Sequence, residues 1–172
     1  MHGKTIAYQL ELSGKILEMN TKDVSHDESL VTPPKGGSCL NQVLGHMTRT
    51  RNLALSTMGH RAPFPMEDFD PYDDRTGVPF SPENALPFES CAVASRRCRS
   101  RWSTPSTGCH PKSWPLAHRA NMTGDPNETV GSNLATFVFH ECYHVGQTGV
   151  LRRVAGKEGV IKPPASPAAK QS

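Results

Sequence analysis

Two histidines four residues apart, His140 and His144, stand inside an apolar helix-forming run, Phe139-His140-Glu141-Cys142-Tyr143-His144-Val145-Gly146-Gln147. Helical residues at i and i+4 lie one above the other, with Cβ atoms about 5–6 Å apart. Both imidazoles therefore project from adjacent turns toward one point, a separation that two ring nitrogens can close on a single ion at about 2.0–2.1 Å each. Two ligands do not complete a shell, so a third must come from elsewhere in the fold. The best candidate is His46, in the other strongly periodic stretch, Cys39-Leu40-Asn41-Gln42-Val43-Leu44-Gly45-His46-Met47. A chain under that constraint must bring two helices side by side with their histidines facing.

Hydrophobic periodicity places the helices. Residues 5–20 read as a first helix, with Ile6, Leu10, Ser13 and Leu17 at helical spacing. Pro33, Pro34, Gly36 and Gly37 then break the pattern. A second helix is expected over 38–59, capped by Ser38, striped by Leu40, Val43, Leu44, Met47, Ala54, Leu55 and Met58, and stopped by Gly59; His46 lies on the stripe's edge. The last helix runs over 129–155, opened by Thr129 and closed by Gly156, with Arg152 and Arg153 in the final turn where the dipole favours cations. Its inner stripe is Phe137, His140, His144, Gln147 and Leu151, with polar residues where a core-facing stripe is ordinarily apolar. Leaving a buried imidazole unsatisfied costs about 1–3 kcal/mol. A shared metal satisfies both at once.

The connection over 61–87, with recurring prolines and acidic residues, far exceeds the usual helix-to-helix loop of about 2–8 residues. Such a crossover between the second and third helices suits a bundle whose helices run in unexpected directions. The third helix should follow, yet 90–124 contains no Asp or Glu, carries Arg96, Arg97, Arg99, Arg101, Lys112 and Arg119, and shows no helical periodicity. Residues 88–128 are read as an irregular basic segment. It is expected to be a basic nucleic-acid- or anion-binding insertion, a disordered loop, or a stretch whose coding frame is displaced and restored before Thr129, which would disrupt the third helix.

At 172 residues the chain fits one domain, expected over 1–160, followed by a Pro- and Ala-rich tail over 161–172 that is expected to be disordered. No basic leader with an apolar run opens the chain and nowhere do about 18 apolar residues stand together, so a soluble cytoplasmic protein without a membrane span is expected. Cys39, Cys91, Cys98, Cys109 and Cys142 are odd in number and form no Cys-x-x-Cys pair, which favours reduced thiols. A net charge of +3 is too small to argue for a nucleic-acid partner. His2, His26, His60, His110 and His118 read as ordinary histidines without metal.

His140-Glu141-x-x-His144 also matches the zinc-protease signature, in which the Glu is general base. The continuation fails: position 147 is Gln, position 150 is Val, and the one later carboxylate, Glu158, sits at a Gly-flanked helix end. Glu141, about 100° around the helix from His140, faces a neighbouring helix or solvent in this reading.

The stretch 38–59, with Leu40-Asn41-Gln42-Val43-Leu44-Gly45-His46 and Arg51-Asn52, resembles the second helix of the DinB/YfiT-like superfamily, where a Gly-His pair supplies the first ligand. Residues 129–162, with the His-x-x-x-His pair, Leu151-Arg152-Arg153 and Gly156-Lys157-Glu158-Gly159, are similar to that family's last helix. So is the linker from Pro71-Tyr72 to Leu86-Pro87 to its crossover. Together these cover about half the chain. The resemblance implies an all-α, DinB-like four-helix bundle holding a divalent metal, zinc or nickel, on His46, His140 and His144, with an open coordination position. It further implies thiol S-transfer to a small-molecule substrate with a low-molecular-weight thiol cosubstrate in stress or detoxification chemistry; a homodimer is a further expectation for partners. The alternatives are a metal-dependent hydrolase acting through activated water and a non-catalytic metal-binding bundle. Gln147, Glu141 and Tyr143 are the candidates to support the ligands or touch substrate, Gln147 having the alternative role of a buried amide tying two helices together.

Overall fold

The structure, a computed structural model, describes residues 2–57, 60–102, 124, 126, 127 and 129–162. These are helical, without a strand among the described residues. Helix α1 spans His2–Thr21 and buries Leu10, Ser13, Leu17 and Asn20, one stripe at helical spacing. A single turn, α2 (His26–Ser29), follows. Its capping box is complete: Ser25 Oγ accepts from the Glu28 N–H at 3.2 Å and Glu28 Oε2 accepts from the Ser25 N–H at 2.8 Å.

Helix α3 spans Leu40–Thr57. It is entered one residue later than Ser38 suggests, since the Cys39 carbonyl accepts from the Val43 N–H and Cys39 Sγ from the Gln42 N–H. Leu40, Val43, Leu44, Met47, Ala54 and Leu55 of the stripe read in the sequence are buried, Leu40, Leu44, Met47 and Leu55 essentially sealed from solvent; Met58 and the expected stop at Gly59 lie outside the described residues. The 61–87 crossover carries short 3₁₀ turns at Glu67–Tyr72, Asp74–Thr76 and Pro82–Asn84, and plugs Phe69 and Tyr72 into the core beside α3.

Helix α4, Phe88–Trp102, overturns the expectation of irregular structure in this part of the chain. Phe88, Cys91, Ala92, Ser95 and Cys98 are all buried and recur at i, i+3, i+4, i+7 and i+10, while Arg96, Arg97 and Arg101 are exposed. The stripe is amphipathic, but it is written in cysteine, alanine and serine instead of leucine. Buried thiols pack as small hydrophobes, so a reading that counted only bulky aliphatic residues passed over it. Arg99 and Arg101 in the last turn complement the helix dipole. Positions 103–123, with Lys112 and Arg119, lie outside the described residues.

Helix α5 spans Val130–Val154, capped by Thr129, whose Oγ1 accepts from the Ser132 N–H at 3.1 Å, and followed by Ala155 and a left-handed Gly156. The four long helices pack so that α1 lies against α4 and α5, and α3 likewise lies against α4 and α5. Polar ties lock the α1–α5 seam: Asn20 Nδ2 donates to Thr148 Oγ1 at 3.0 Å and to the Val145 carbonyl at 3.2 Å. Arg152 serves a neighbour as well as its own helix end, donating to the Asn20 and Lys22 carbonyls where α1 runs out of hydrogen-bond partners. No helix among the described residues is long and apolar enough to cross a membrane.

Candidate metal centre

Where α3 packs on α5, His46 meets the His140/His144 pair. One ligand atom from each ring lies within 4.8 Å of the others. His46 Nε2 and His140 Nε2 are 3.0 Å apart, and the ring centroids of His46–His144 and His140–His144 are 4.8 and 4.3 Å apart. Nitrogens bound to one ion at about 2.0–2.1 Å would be about 2.9–3.4 Å apart, so the set is close to, and slightly wider than, a closed shell.

Hydrogen bonds select the tautomers. The His46 Nδ1–H donates to the Tyr72 carbonyl at 3.0 Å, and the His144 Nδ1–H donates to Gln147 Oε1 at 2.7 Å. Each bond leaves Nε2 with its lone pair directed into the cluster, the usual arrangement of a metal-binding imidazole. His140 has a buried Nδ1 without a partner among the described residues. Its Nε2 faces the lone pair of His46 at 3.0 Å, a juxtaposition that either a shared proton or a cation must relieve. Burial, reinforced by the neighbouring His144 and His46 rings, pushes the His140 pKa down to about 3. Burial also lowers that of His144, against the opposing Gln147 hydrogen bond. Both rings are therefore neutral at physiological pH, as ligands must be. The donor set fits a borderline divalent ion such as Zn²⁺ or Ni²⁺.

What brings His46 into place is the residue before it. A Cβ on Gly45 would stand 2.1 Å from the Tyr72 ring, so only glycine lets that ring lie flat on α3. Tyr72 is then pinned at its far end: its hydroxyl donates to Asn41 Oδ1 at 2.9 Å and accepts from the Leu86 N–H at 2.7 Å. Its carbonyl is thereby delivered to His46. Next to it, buried Asp73 accepts from Arg75 Nε at 2.9 Å and pairs with Arg49 of α3. Arg75, and with it Arg49, holds the Asp73 carboxyl down at about 2. The crossover is thus clamped to α3 on both sides of His46.

The other sequence candidates separate. Gln147 orients His144, as above. Tyr143 is mostly exposed, its ring standing edge-on to His144 with centroids 5.0 Å apart. Glu141 is in the core, facing helices and never solvent: both carboxylate oxygens accept from Arg51 Nε at 3.0–3.1 Å, and Arg51 Nη1 donates to Ser95 Oγ at 2.6 Å. A carboxylate so engaged ties α5 to α3 and α4 and is not the general base that the His-Glu-x-x-His pattern suggests.

Sequence reading missed Tyr72, Asp73 and the Arg51–Ser95 partners of Glu141. One signal was present for Tyr72: a glycine inside a helix costs about 1 kcal/mol relative to alanine, and Gly45 directly before a candidate ligand marks a close approach. No family model, no curated protein and no solved structure matches this chain significantly.

Proposed function

We propose that this chain is a metal-dependent enzyme of the DinB-like kind, a four-helix bundle that holds one divalent ion, Zn²⁺ or Ni²⁺, on His46, His140 and His144. The reaction assigned is transfer of a low-molecular-weight thiol to an electrophilic small molecule. The single observation that carries the reading is the convergence of three histidines, two with tautomers fixed by Tyr72 and Gln147, on one point between α3 and α5. A divalent ion on three imidazoles keeps its double charge and an open position, and lowers the pKa of a thiol or water that binds there.

The chain's own residues supply orientation. Tyr72 and Gln147 hold the His46 and His144 rings through Nδ1, so their Nε2 atoms are presented without reorganisation. Arg51 withdraws Glu141 from acid–base work, which favours thiol transfer, where the nucleophile needs only deprotonation, over a hydrolysis that relies on Glu141 as base.

The test is a rate measurement on metal-loaded protein with 1-chloro-2,4-dinitrobenzene and, separately, glutathione, mycothiol and bacillithiol. Metal-dependent arylation of one thiol, lost in His140→Ala, is expected. Thiol-independent cleavage of an activated ester with no thiol transfer would replace this reading with the hydrolase, and tight metal binding with neither activity would replace it with a non-catalytic bundle.

A further inference from the structure

The other side of α5 carries a second feature. By the 3.6-residue period, Cys142, Gly146, Gly149 and Arg153 lie about half a turn around the helix from His140 and His144. There α1, α5 and the segment following α5 enclose a groove of about 570 Å³. This falls within the roughly 300–1,000 Å³ of small-molecule sites. Its walls are apolar: Leu12 and Ile16 from α1, Val145 and Val150 from α5, Val160 and Ile161 beyond it. Leu12, Val150 and Ile161 are 47%, 61% and 71% exposed, so the groove is lined by large apolar side chains that no other described residue covers.

The charge of the lining is one-sided. No acidic residue contributes to it, and its single charged side chain is Arg153. The Arg153 carbonyl accepts from the Gly156 N–H at 3.0 Å, while its guanidinium makes no ion pair or hydrogen bond among the described residues. Its guanidinium lies over the backbone of Gly159, where a Cβ would come within 2.7 Å of Nη2. The glycine therefore makes room for the guanidinium at the groove's edge.

We propose that this groove binds a single-chain amphiphile with an anionic head, a medium- to long-chain carboxylate. The chain would lie along Leu12, Ile16, Val145, Val150 and Ile161, with the carboxylate on Arg153. The apolar walls match the tail, and the lone unpaired guanidinium matches the head with a bidentate donor geometry suited to carboxylates. A second copy of the protein is the less favoured occupant, because two-fold pairing presents the same patch on both subunits and would add a second Arg153 with no lining acid to neutralise either. The proposal is independent of the metal centre.

Titration calorimetry with dodecanoate, below its micelle concentration, tests it. Saturable binding of about one molecule per chain is expected. Arg153→Gln should weaken dodecanoate by about 10–100-fold, the range of one charge-assisted hydrogen bond, while leaving the neutral probe dodecanol unchanged. A Cβ on Gly146 meets nothing within 4 Å, so Gly146→Leu should fill the groove and abolish binding of both probes with metal content unaltered. Cys142 lines the groove and is exposed; its iodoacetamide alkylation, followed by mass spectrometry of its peptide, should slow when dodecanoate is bound. Equal dodecanoate affinity in wild type and Arg153→Gln, or no saturation in wild type, would overturn the proposal. So would a wild-type dimer by light scattering that Gly146→Leu dissociates, since the groove would then hold a second copy.

Discussion

At the scale of single residues, the centre depends on nitrogen lone pairs held in place by bonds on the opposite side of each ring. His46→Ala, His140→Ala and His144→Ala should each remove most divalent-metal binding, read as metal per chain by elemental analysis. His26→Ala and His60→Ala should not; His26 Nδ1, for example, accepts from the Phe88 N–H. Gly45→Ala should act through Tyr72. Displacing that ring moves the carbonyl from His46, and loss of such a supporting bond typically lowers metal affinity by about 10–100-fold. Competition with a chromogenic chelator would measure it. The low pKa of His140 gives a pH signature in the metal-free protein. Between about 6.5, the ordinary imidazole value, and about 3, its folded value, the unfolded chain binds a proton at residue 140 that the folded chain does not. Stability therefore falls as pH drops through that window. Urea midpoints measured from pH 7 to 4 should decline, and His140→Gln should flatten the slope.

At the scale of elements, α4 and the Arg51–Glu141 pair hold together the two helices that carry the three histidines. Arg51 on α3 reaches Ser95 on α4 and Glu141 on α5, with both charged partners buried. Removing one member of a buried pair strands the other charge, at about 3–5 kcal/mol. Arg51→Ala should therefore lower the unfolding free energy from urea titration by that order, and an unchanged value would mean the pair adds nothing to the seam. The packing of α4 has its own readout. Cys39, Cys91 and Cys98 are buried, whereas Cys142 is exposed; burial pushes the Cys91 thiol up to about 11 and Cys98 up to about 12. In native buffer, alkylation should reach Cys142 quickly and the Cys91 and Cys98 peptides only after unfolding. Rapid labelling of Cys98 would show that α4 does not stay docked.

At the scale of the whole molecule, an ion bound by the three histidines would be coupled to the fold, because His46 and the His140/His144 pair come from two helices brought together only in the native state. A ligand at about 100 times its Kd adds about 2.7 kcal/mol to native stability, so Zn²⁺ should raise the thermal midpoint and a chelator should return it. By itself, the sequence determined the elements whose signals are local. The His140/His144 spacing, the Thr129 cap and Gly156 stop of α5, and the aliphatic stripe of α3 are all set by the 3.6-residue period and by capping chemistry within a few residues. The tertiary structure alone decided the rest. Tyr72 reaches His46 across a crossover whose course no periodicity encodes. The α4 stripe is visible only once burial shows which cysteines and serines face the core. Glu141 matches a protease pattern along the chain but reads there only as facing a neighbouring helix or solvent; it becomes a core ion pair because Arg51, ninety positions away, arrives at the same buried point, where an unpaired charge would be too unfavourable to keep.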